Sequence, residues 1–347
     1  MIRPPLLPSS DPVERLSVLM LEVHDRCACR CLMCDLWRSD PTNHSPELDL
    51  TLLESWLPGW AKLGVKRIGL TGGEPLLHPD VEGLLAMLGR AGSRLTLMTA
   101  GTGLAHHTEA VAHWCDSVVV SLDGPRDIHD AVRRSPGAFA ELQTGVAELR
   151  DRCGISIRIT ARCTVQRANL GHLADTVETA RTMGLDGISF LPIDTAAGSF
   201  GGTPGSDHGR RRRALCPGVD DLDNLAVELE TVARDTSTNR TSSFVAEDHR
   251  TLVTRVLEHF RAENGLAPHR ARPCNAPWVS AVIGTDGSVR PCFFHAAYGR
   301  CDRDEELGAV LNANHAREQR NRLDVVDNPI CRRCVCPLAL RQGEDPR

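Results

Sequence analysis

Between Asp25 and Trp37 the chain reads DRCACRCLMCDLW, with Cys27, Cys29, Cys31 and Cys34 packed into eight residues. A second group lies far downstream: Cys274, Cys292, and then CRRCVC with Cys331, Cys334 and Cys336. Thiols crowded in this way suit a disulfide knot, a zinc site, a redox dithiol or an iron–sulfur cluster. The N-terminal MIRPPLLPSSDPVERLSV lacks the charged start, apolar run and small-residue cleavage site of a secretion signal. No segment offers the roughly 18 consecutive apolar residues of a membrane helix. The expected location is therefore cytoplasmic, where thiols stay reduced. Fourteen cysteines in that compartment argue for metal ligation over disulfides.

Within the first group, a tetrahedral zinc ion would require four ligands. Cys29 could be the fourth, but ligands only two residues apart fit poorly around one small ion. A thioredoxin-type dithiol needs only Cys31 and Cys34 and leaves Cys27 without a purpose. Three thiolates on a loop, spaced C-x3-C-x2-C, can instead hold three corners of a four-iron cube. The fourth iron then stays open, as catalysis requires. The second group, two distant pairs closing on one centre, is compatible with a zinc ribbon.

The elements that must carry these loops follow from periodicity. SVLMLEV, VKRIGLTGG, RLTLMTAG, SVVVSLDG, ISIRITARCTV and GISFLPID are short apolar runs bounded by Gly, Asp or Thr. They read as strands, nearly continuous in hydrophobicity, as in a parallel sheet covered on both faces. VEGLLAMLGRAG and HLADTVETARTMG between them read as helices, with Gly184 as a stop signal. Six βα units in succession predict an α/β fold, a parallel open sheet or partial barrel with right-handed crossovers. Its functional loops then gather beyond the carboxyl ends of the strands.

After Asp194 the composition changes to TAAGSFGGTPGSDHGRRRR. This reads as a mobile connection ending in a solvated charge run, Arg210 to Arg213; the rival reading is a lid or a site for an anionic substrate. Helical patterns follow at 222–234 and 249–264. The last eighty residues hold six cysteines, and WVSAVIGTDGSVRPCFF reads as a hairpin turning at Asp286-Gly287. They are too cysteine-rich for ordinary core. The expected organisation is an extension at 1–16, the barrel at 17–200, a linker and helical segment at 201–268, a cysteine-rich domain at 269–340 and a tail at 341–347.

At this point the motifs carry a family resemblance. C-x3-C-x2-C after a first strand, followed by the aromatic Trp37, resembles the signature of radical S-adenosylmethionine (radical SAM) enzymes. TGGEP, Thr71 to Pro75, is similar to their GGEP motif, which implies that Gly72, Gly73, Glu74 and Pro75 meet the amino group of the methionine moiety. Thr99 lies in TAG where relatives have T-N-G, Ala100 being the departure. SLDGPRDIHDAVRRSPGAF resembles the S-x-D-G segment with its downstream His-Asp and Arg, adding Ser121 and Asp123 to the cofactor-binding set. The resemblance covers 17–194. It implies a partial (β/α)6 TIM-like barrel whose first [4Fe–4S] cluster, on Cys27, Cys31 and Cys34, binds S-adenosylmethionine. Cleavage of that cofactor then yields a 5′-deoxyadenosyl radical. Cys29 is not among the implied ligands.

Beside such a domain, C-x12-G-x4-C followed by C-x2-C resembles the auxiliary-cluster extensions called SPASM and twitch. One auxiliary [4Fe–4S] cluster is expected on Cys274, Cys292, Cys331 and Cys334, with Cys336 able to replace a distal ligand. The spacing is especially similar to that of twitch-type dehydrogenases that oxidise an aminocyclitol.

Cys115, Cys153, Cys163 and Cys216 read by default as small core residues. Cys216 and Cys301, in loops, are candidate hydrogen-atom donors to a substrate radical. Asp194, at the end of the sixth strand, is a candidate catalytic base, or else a cap. A net charge of −5 gives no pull towards nucleic acid or anionic membranes. The expected activity is hydrogen abstraction from a sugar- or aminocyclitol-like natural-product intermediate, with net oxidation or epimerisation. The short lead before the first strand favours that over the alternative, maturation of a ribosomal peptide. The expected partners are one of those substrates and a flavodoxin- or ferredoxin-type electron donor. A non-catalytic iron–sulfur or zinc protein is the rival of another class, and it leaves GGEP and S-x-D-G without a purpose.

Overall fold

The computed structural model describes residues 12–38, 47–195, 207–234, 243–303 and 306–340. Much of the Gly- and Ser-rich connection, residues 196–206, lies outside these, as do the tail and most of the N-terminal extension. All six expected strands form: β1 (Val18–Glu22), β2 (Arg67–Thr71), β3 (Arg94–Thr99), β4 (Ser117–Ser121), β5 (Arg158–Val165) and β6 (Ile188–Pro192). Each pairs in parallel with its sequence neighbour. Three further strands, β7 (Ser280–Ile283), β8 (Ser288–Arg290) and β9 (Gly299–Arg300), continue the same sheet beyond β1. The cysteine-rich region is thus no detached appendage, since β7 pairs in parallel with β1, Val18 opposite Ser280. The β7–β8 pair is the expected hairpin, antiparallel with Gly287 at φ +78° in its turn. A Cβ there would sit 2.5 Å from the Cys301 carbonyl oxygen, so the position is closed to side chains.

The helices are α1 (Leu50–Lys62), α2 (Val81–Gly89), α3 (Thr108–Trp114), α4 (Arg126–Arg133), α5 (Ala138–Cys153), α6 (Leu173–Thr182), α7 (His208–Ala214), α8 (Leu222–Arg234), α9 (His249–Glu263), α10 (Ala276–Val279), α11 (Leu307–Asn312), α12 (Asn314–Arg322) and α13 (Pro329–Arg333). Local chemistry sets their ends. Asp49 caps α1 by accepting from the Leu52 amide at 2.9 Å, and Asp80 caps α2 through Gly83 at 3.0 Å. Gly184, at φ +78°, closes α6 as expected. Helices α8 and α9 bury Leu225, Leu229, Leu252, Val256 and Phe260 and extend the outer layer past β6.

Burial corrects one expectation. The strands are not covered on both faces. One face, which includes Leu19, Leu21, Ile68, Leu70, Leu95, Leu97, Val118, Val120, Ile159, Ala161 and Phe190, is buried. The other carries half-buried Met20, Glu22, Arg67, Met98, Ser121, Thr160, Arg162 and Ser189. By register Met20, Gly69, Thr96 and Ser117 share this second face, on which Gly69 and Thr96 are themselves buried. A half-buried polar face of this kind accommodates a polar ligand, which a sealed apolar core would not.

Candidate functional site

The loop after β1 carries Cys27 to Cys34, and two neighbouring segments hold it. From the β2 side, the Gly73 amide donates to the His24 carbonyl at 2.7 Å and the Glu74 amide to the Arg26 carbonyl at 2.8 Å. A Cβ on Gly72 would meet the His24 oxygen at 2.4 Å, and one on Gly73 the Arg26 oxygen at 1.9 Å. The two glycines therefore serve a close approach of backbone to backbone, seating the cysteine loop. From the β4 side, the Arg30 and Leu32 amides each donate at 3.0 Å to the Arg133 and Val132 carbonyls at the end of α4.

Glu74 is fully buried, and its carboxylate serves the polypeptide. It accepts from Thr99 Oγ1 at 2.7 Å, the Ala100 amide at 2.6 Å and the Leu76 amide at 3.2 Å. It thereby couples the TGGEP and TAG loops, with Pro75 buried beside it. Burial raises its pKa to about 7, against the lowering effect of those donors.

Asp123, also fully buried, pairs with the Arg133 guanidinium at 2.5 Å and accepts from the Thr164 amide at 2.8 Å. Arg133 also reaches Cys31 Sγ at 3.6 Å. Burial works to lower the Arg133 pKa, but Asp123 and the adjacent thiols hold it above the ordinary range. The S-x-D-G segment thus delivers one buried cation to the cysteine loop. Ser121, at the end of β4, is half-buried beside it in sequence.

His129 accepts from the Asp123 amide at 3.3 Å, and burial, with Arg133 adding to it, lowers its pKa to about 3. Acid should therefore loosen this segment. Below pH 6.5 the unfolded chain takes up a proton that the folded one refuses, so stability is complete above that pH and falls as pH drops towards 3. From pH 6.5 to 5 the loss from this one group is about 2 kcal/mol. Urea midpoints at pH 7 and pH 5 should converge more in His129→Gln than in the wild type; equal drops in the two proteins would exclude His129 as the group.

Cys29 lies within hydrogen-bonding reach of both Cys27 and Cys31. Cys27 and Cys34 are half-buried, while Cys29 and Cys31 are buried. Three of the thiols are raised: the hydrogen bond with Cys27 pushes Cys29 up to about 12, the bond to Cys29 and burial raise Cys31, and burial pushes Cys34 up to about 11. A bound cationic metal centre reverses that balance by taking thiolates. Among the described residues no three His, Cys, Asp or Glu side chains converge as a single-ion site. Three thiols on one loop beside a guanidinium fit a cluster of several irons, whose thiolates need not share one centre.

The arginine run departs from both of its readings. Arg210 is 89 % exposed, but Arg212, two residues on, is 2 % exposed. Arg212 lies 3.1 Å from Asp35, the residue after Cys34, and 3.8 Å from Asp194. Arg211 and Arg38 also pair with Asp35, at 2.7 and 3.1 Å. Thus α7 ties the cysteine loop to the end of β6, and Asp194 is part of that buried network.

All five distal cysteines, Cys274, Cys292, Cys331, Cys334 and Cys336, line one cavity together with His295 and Arg272. His295 Nε2 lies 3.3 Å from Cys331 Sγ, and burial pushes the Cys331 thiol up to about 12. Five thiols around one cavity fit a four-ligand cluster with one to spare. The same loop is anchored to the mouth: Arg333 donates to Thr195 Oγ1, beside Asp194, at 3.0 Å and to Glu263 at 2.8 and 3.0 Å. Cys216 and Cys301, the candidate hydrogen donors, are buried at 4 % and 2 % exposure, and Cys301 bonds to Gly287 within the hairpin.

Comparison with known proteins accords with this geometry. The family model described as "Radical SAM superfamily" matches residues 21–180, and that described as "Iron-sulfur cluster-binding domain", SPASM, matches 274–335. The chain belongs to the radical SAM superfamily. It is a radical SAM/SPASM protein, and its two domains are those that hold an S-adenosylmethionine-binding cluster and an auxiliary [4Fe–4S] cluster. AlbA, the antilisterial bacteriocin subtilosin biosynthesis protein of Bacillus subtilis, is 26 % identical over 285 residues, which is 78 % of this chain and 53 % of AlbA. The PqqA peptide cyclase of Ruegeria pomeroyi is 29 % identical over 287 residues, 80 % of this chain and 67 % of that one. The chain spans about half the length of most of the curated relatives it matches. Streptococcus suis SuiB, solved with S-adenosylmethionine, superposes with a TM-score of 0.64 at 16 % identity, over 93 % of this chain and 72 % of SuiB, a likeness of fold. Among the described residues no helix of this radical SAM protein is long and apolar enough to cross a membrane.

Sequence reasoning had quoted Arg133 within a motif without giving it a partner. It missed Asp35, Glu263 and Arg333, and held Arg212 only as one of the run Arg210 to Arg213. For Asp35 a signal existed, its place next to Cys34. The other pairings join residues distant in sequence and left none.

Proposed function

We propose that this radical SAM/SPASM enzyme modifies a peptide. The observation that carries the reading is alignment across about four-fifths of the chain with AlbA and the PqqA peptide cyclase, both named for peptide products or substrates. The alignment supports it over the sugar or aminocyclitol reading, which rested on auxiliary-cysteine spacing and on the short N-terminal lead. When bound, the first cluster and S-adenosylmethionine supply a deoxyadenosyl radical that removes a substrate hydrogen atom, and the auxiliary cluster offers a path for the electron lost afterwards.

In this proposal Cys27, Cys31 and Cys34 hold the first cluster, with Gly72, Gly73, Glu74 and Thr99 shaping the mouth. Cys274, Cys292, Cys331 and Cys334 hold the second, Cys336 being the reserve ligand. Arg333 fixes the auxiliary loop against the end of β6, and the half-buried polar strand face receives the substrate. The test is incubation of anaerobically reconstituted protein with S-adenosylmethionine, dithionite and a peptide encoded beside its gene. The expected product is a peptide two hydrogens lighter per bond formed, alongside 5′-deoxyadenosine. Unchanged peptide, with an aminocyclitol oxidised under the same conditions, would overturn the reading.

A further inference from the structure

Among the described residues three arginines are buried: Arg133, Arg212 and Arg320. Two of them face a carboxylate, Arg133 at Asp123 and Arg212 at Asp35. Arg320, at 1 % exposure in the last turn of α12, pairs with none. It is also the one described arginine whose two terminal nitrogens are both shielded from solvent without a hydrogen bond; elsewhere only an Nε is left so. Its neighbour is the Tyr298 ring, whose centre lies 5.4 Å from the guanidinium carbon. Tyr298 is itself 3 % exposed, and burial pushes its hydroxyl up to about 12, so a neutral phenol stands beside the cation. The carboxyl end of α12 adds only a partial negative charge. A buried charge with so little to balance it is costly.

The pair stands against the auxiliary cavity. Phe294 and His295, shortly before Tyr298, line that cavity, and so does Val325, shortly after α12. Tyr298 is near enough to Cys292 for a charge on that sulfur to act on it. A [4Fe–4S] centre held by four thiolates is a net anion, and an added electron makes it more negative. We propose that Arg320 is the counter-cation of the auxiliary cluster, left without a carboxylate so that its charge favours the reduced state of that cluster. The Tyr298 ring holds the guanidinium in place by packing on it. Inside the protein the charge acts through a low dielectric and is little screened by salt. Arg320 works without a bond to sulfur, unlike Arg133, which reaches Cys31 Sγ at the first cluster. A cluster that is easier to reduce is the better acceptor for an electron released by the substrate. The inference rests on the reading of Cys274, Cys292, Cys331 and Cys334 as cluster ligands.

The experiment compares anaerobically reconstituted wild type, Arg320→Met and Arg320→Lys, each checked for iron content, by redox titration followed with electron paramagnetic resonance. S-adenosylmethionine is present, because its binding alters the signal of the first cluster and so separates the two. In Arg320→Met the one-electron reduction of the auxiliary cluster is expected to become about tenfold less favourable, a fall of ~59 mV, at low and high salt alike. Arg320→Lys keeps the charge and should stay near wild type, and the midpoint of the first cluster should hold in both variants. An unchanged auxiliary midpoint in Arg320→Met overturns the proposal. So does an equal fall in Arg320→Lys, which would make the effect one of packing, or an equal shift at both clusters. Should Arg320→Met keep no auxiliary iron, Arg320→Lys decides: a wild-type midpoint upholds the role of the charge, and any other result refutes it. A wild type with a single reducible cluster defeats the underlying reading, and the inference with it.

Discussion

Arg133→Met should destabilise the protein by about 3–5 kcal/mol, the cost of removing one partner from a buried ion pair. Asp123 is fully buried, and of its two carboxylate oxygens one accepts from the Thr164 amide while the other faces Arg133 at 2.5 Å. Without the guanidinium, that second oxygen must either stay charged in a low-dielectric site or take up a proton. The double variant Arg133→Met with Asp123→Asn removes both charges together and should regain a good part of the loss. Urea midpoints of the two single variants and the double one measure the coupling; additive effects would show the pair to be independent. A second readout follows from the contact with Cys31 at 3.6 Å. A cationic donor on a cluster thiolate favours the reduced, more negative state, because hydrogen bonds to the sulfurs help set the potential. The midpoint of the S-adenosylmethionine-binding cluster, followed by electron paramagnetic resonance, should therefore fall in Arg133→Met.

The order of strands could be read from the chain because each apolar run ends at a Gly, Asp or Thr that the turn requires. Which face is covered could not be read, for a specific reason. Met98, Val119 and Leu191 are apolar yet half-buried on the second face. They fill in the alternation and make half-covered strands look fully buried. The cysteine ligand sets were legible because a ligand loop is local, with its spacing written in a few consecutive residues. The clamps around it were not. Four consecutive arginines look alike, and only the helical turn of α7 decides that Arg212 points inward to Asp35 while Arg210 stays in solvent. Arg333 shows the same limit from the other end: its partners Thr195 and Glu263 lie 138 and 70 residues away. The role of the two glycines shifted too. The resemblance implies a contact with the methionine amino group, and the structure adds that the two glycines seat the cysteine loop.

Substituting the first-cluster cysteines one at a time should split them into two classes. Cys27→Ser, Cys31→Ser and Cys34→Ser should each reduce 5′-deoxyadenosine formation to about a hundredth of wild type or less, because even residues that only support a metal ligand are worth 10–100-fold. Cys29→Ser should retain most of the activity. Cys29 lies at 1 % exposure between Cys27 and Cys31 in the chain, and ligands at Cys27, Cys31 and Cys34 already satisfy three corners of a cube whose fourth must stay open. Its hydrogen bonds with Cys27 and Cys31 can be made by a serine hydroxyl of nearly the same size. Iron analysis separates lost ligation from lost folding. The three ligand variants should keep about half the iron of the wild type, held at the auxiliary site around Cys274, Cys292, Cys331 and Cys334. Full activity in Cys27→Ser together with inactivity in Cys29→Ser would exchange Cys27 for Cys29 in the ligand set.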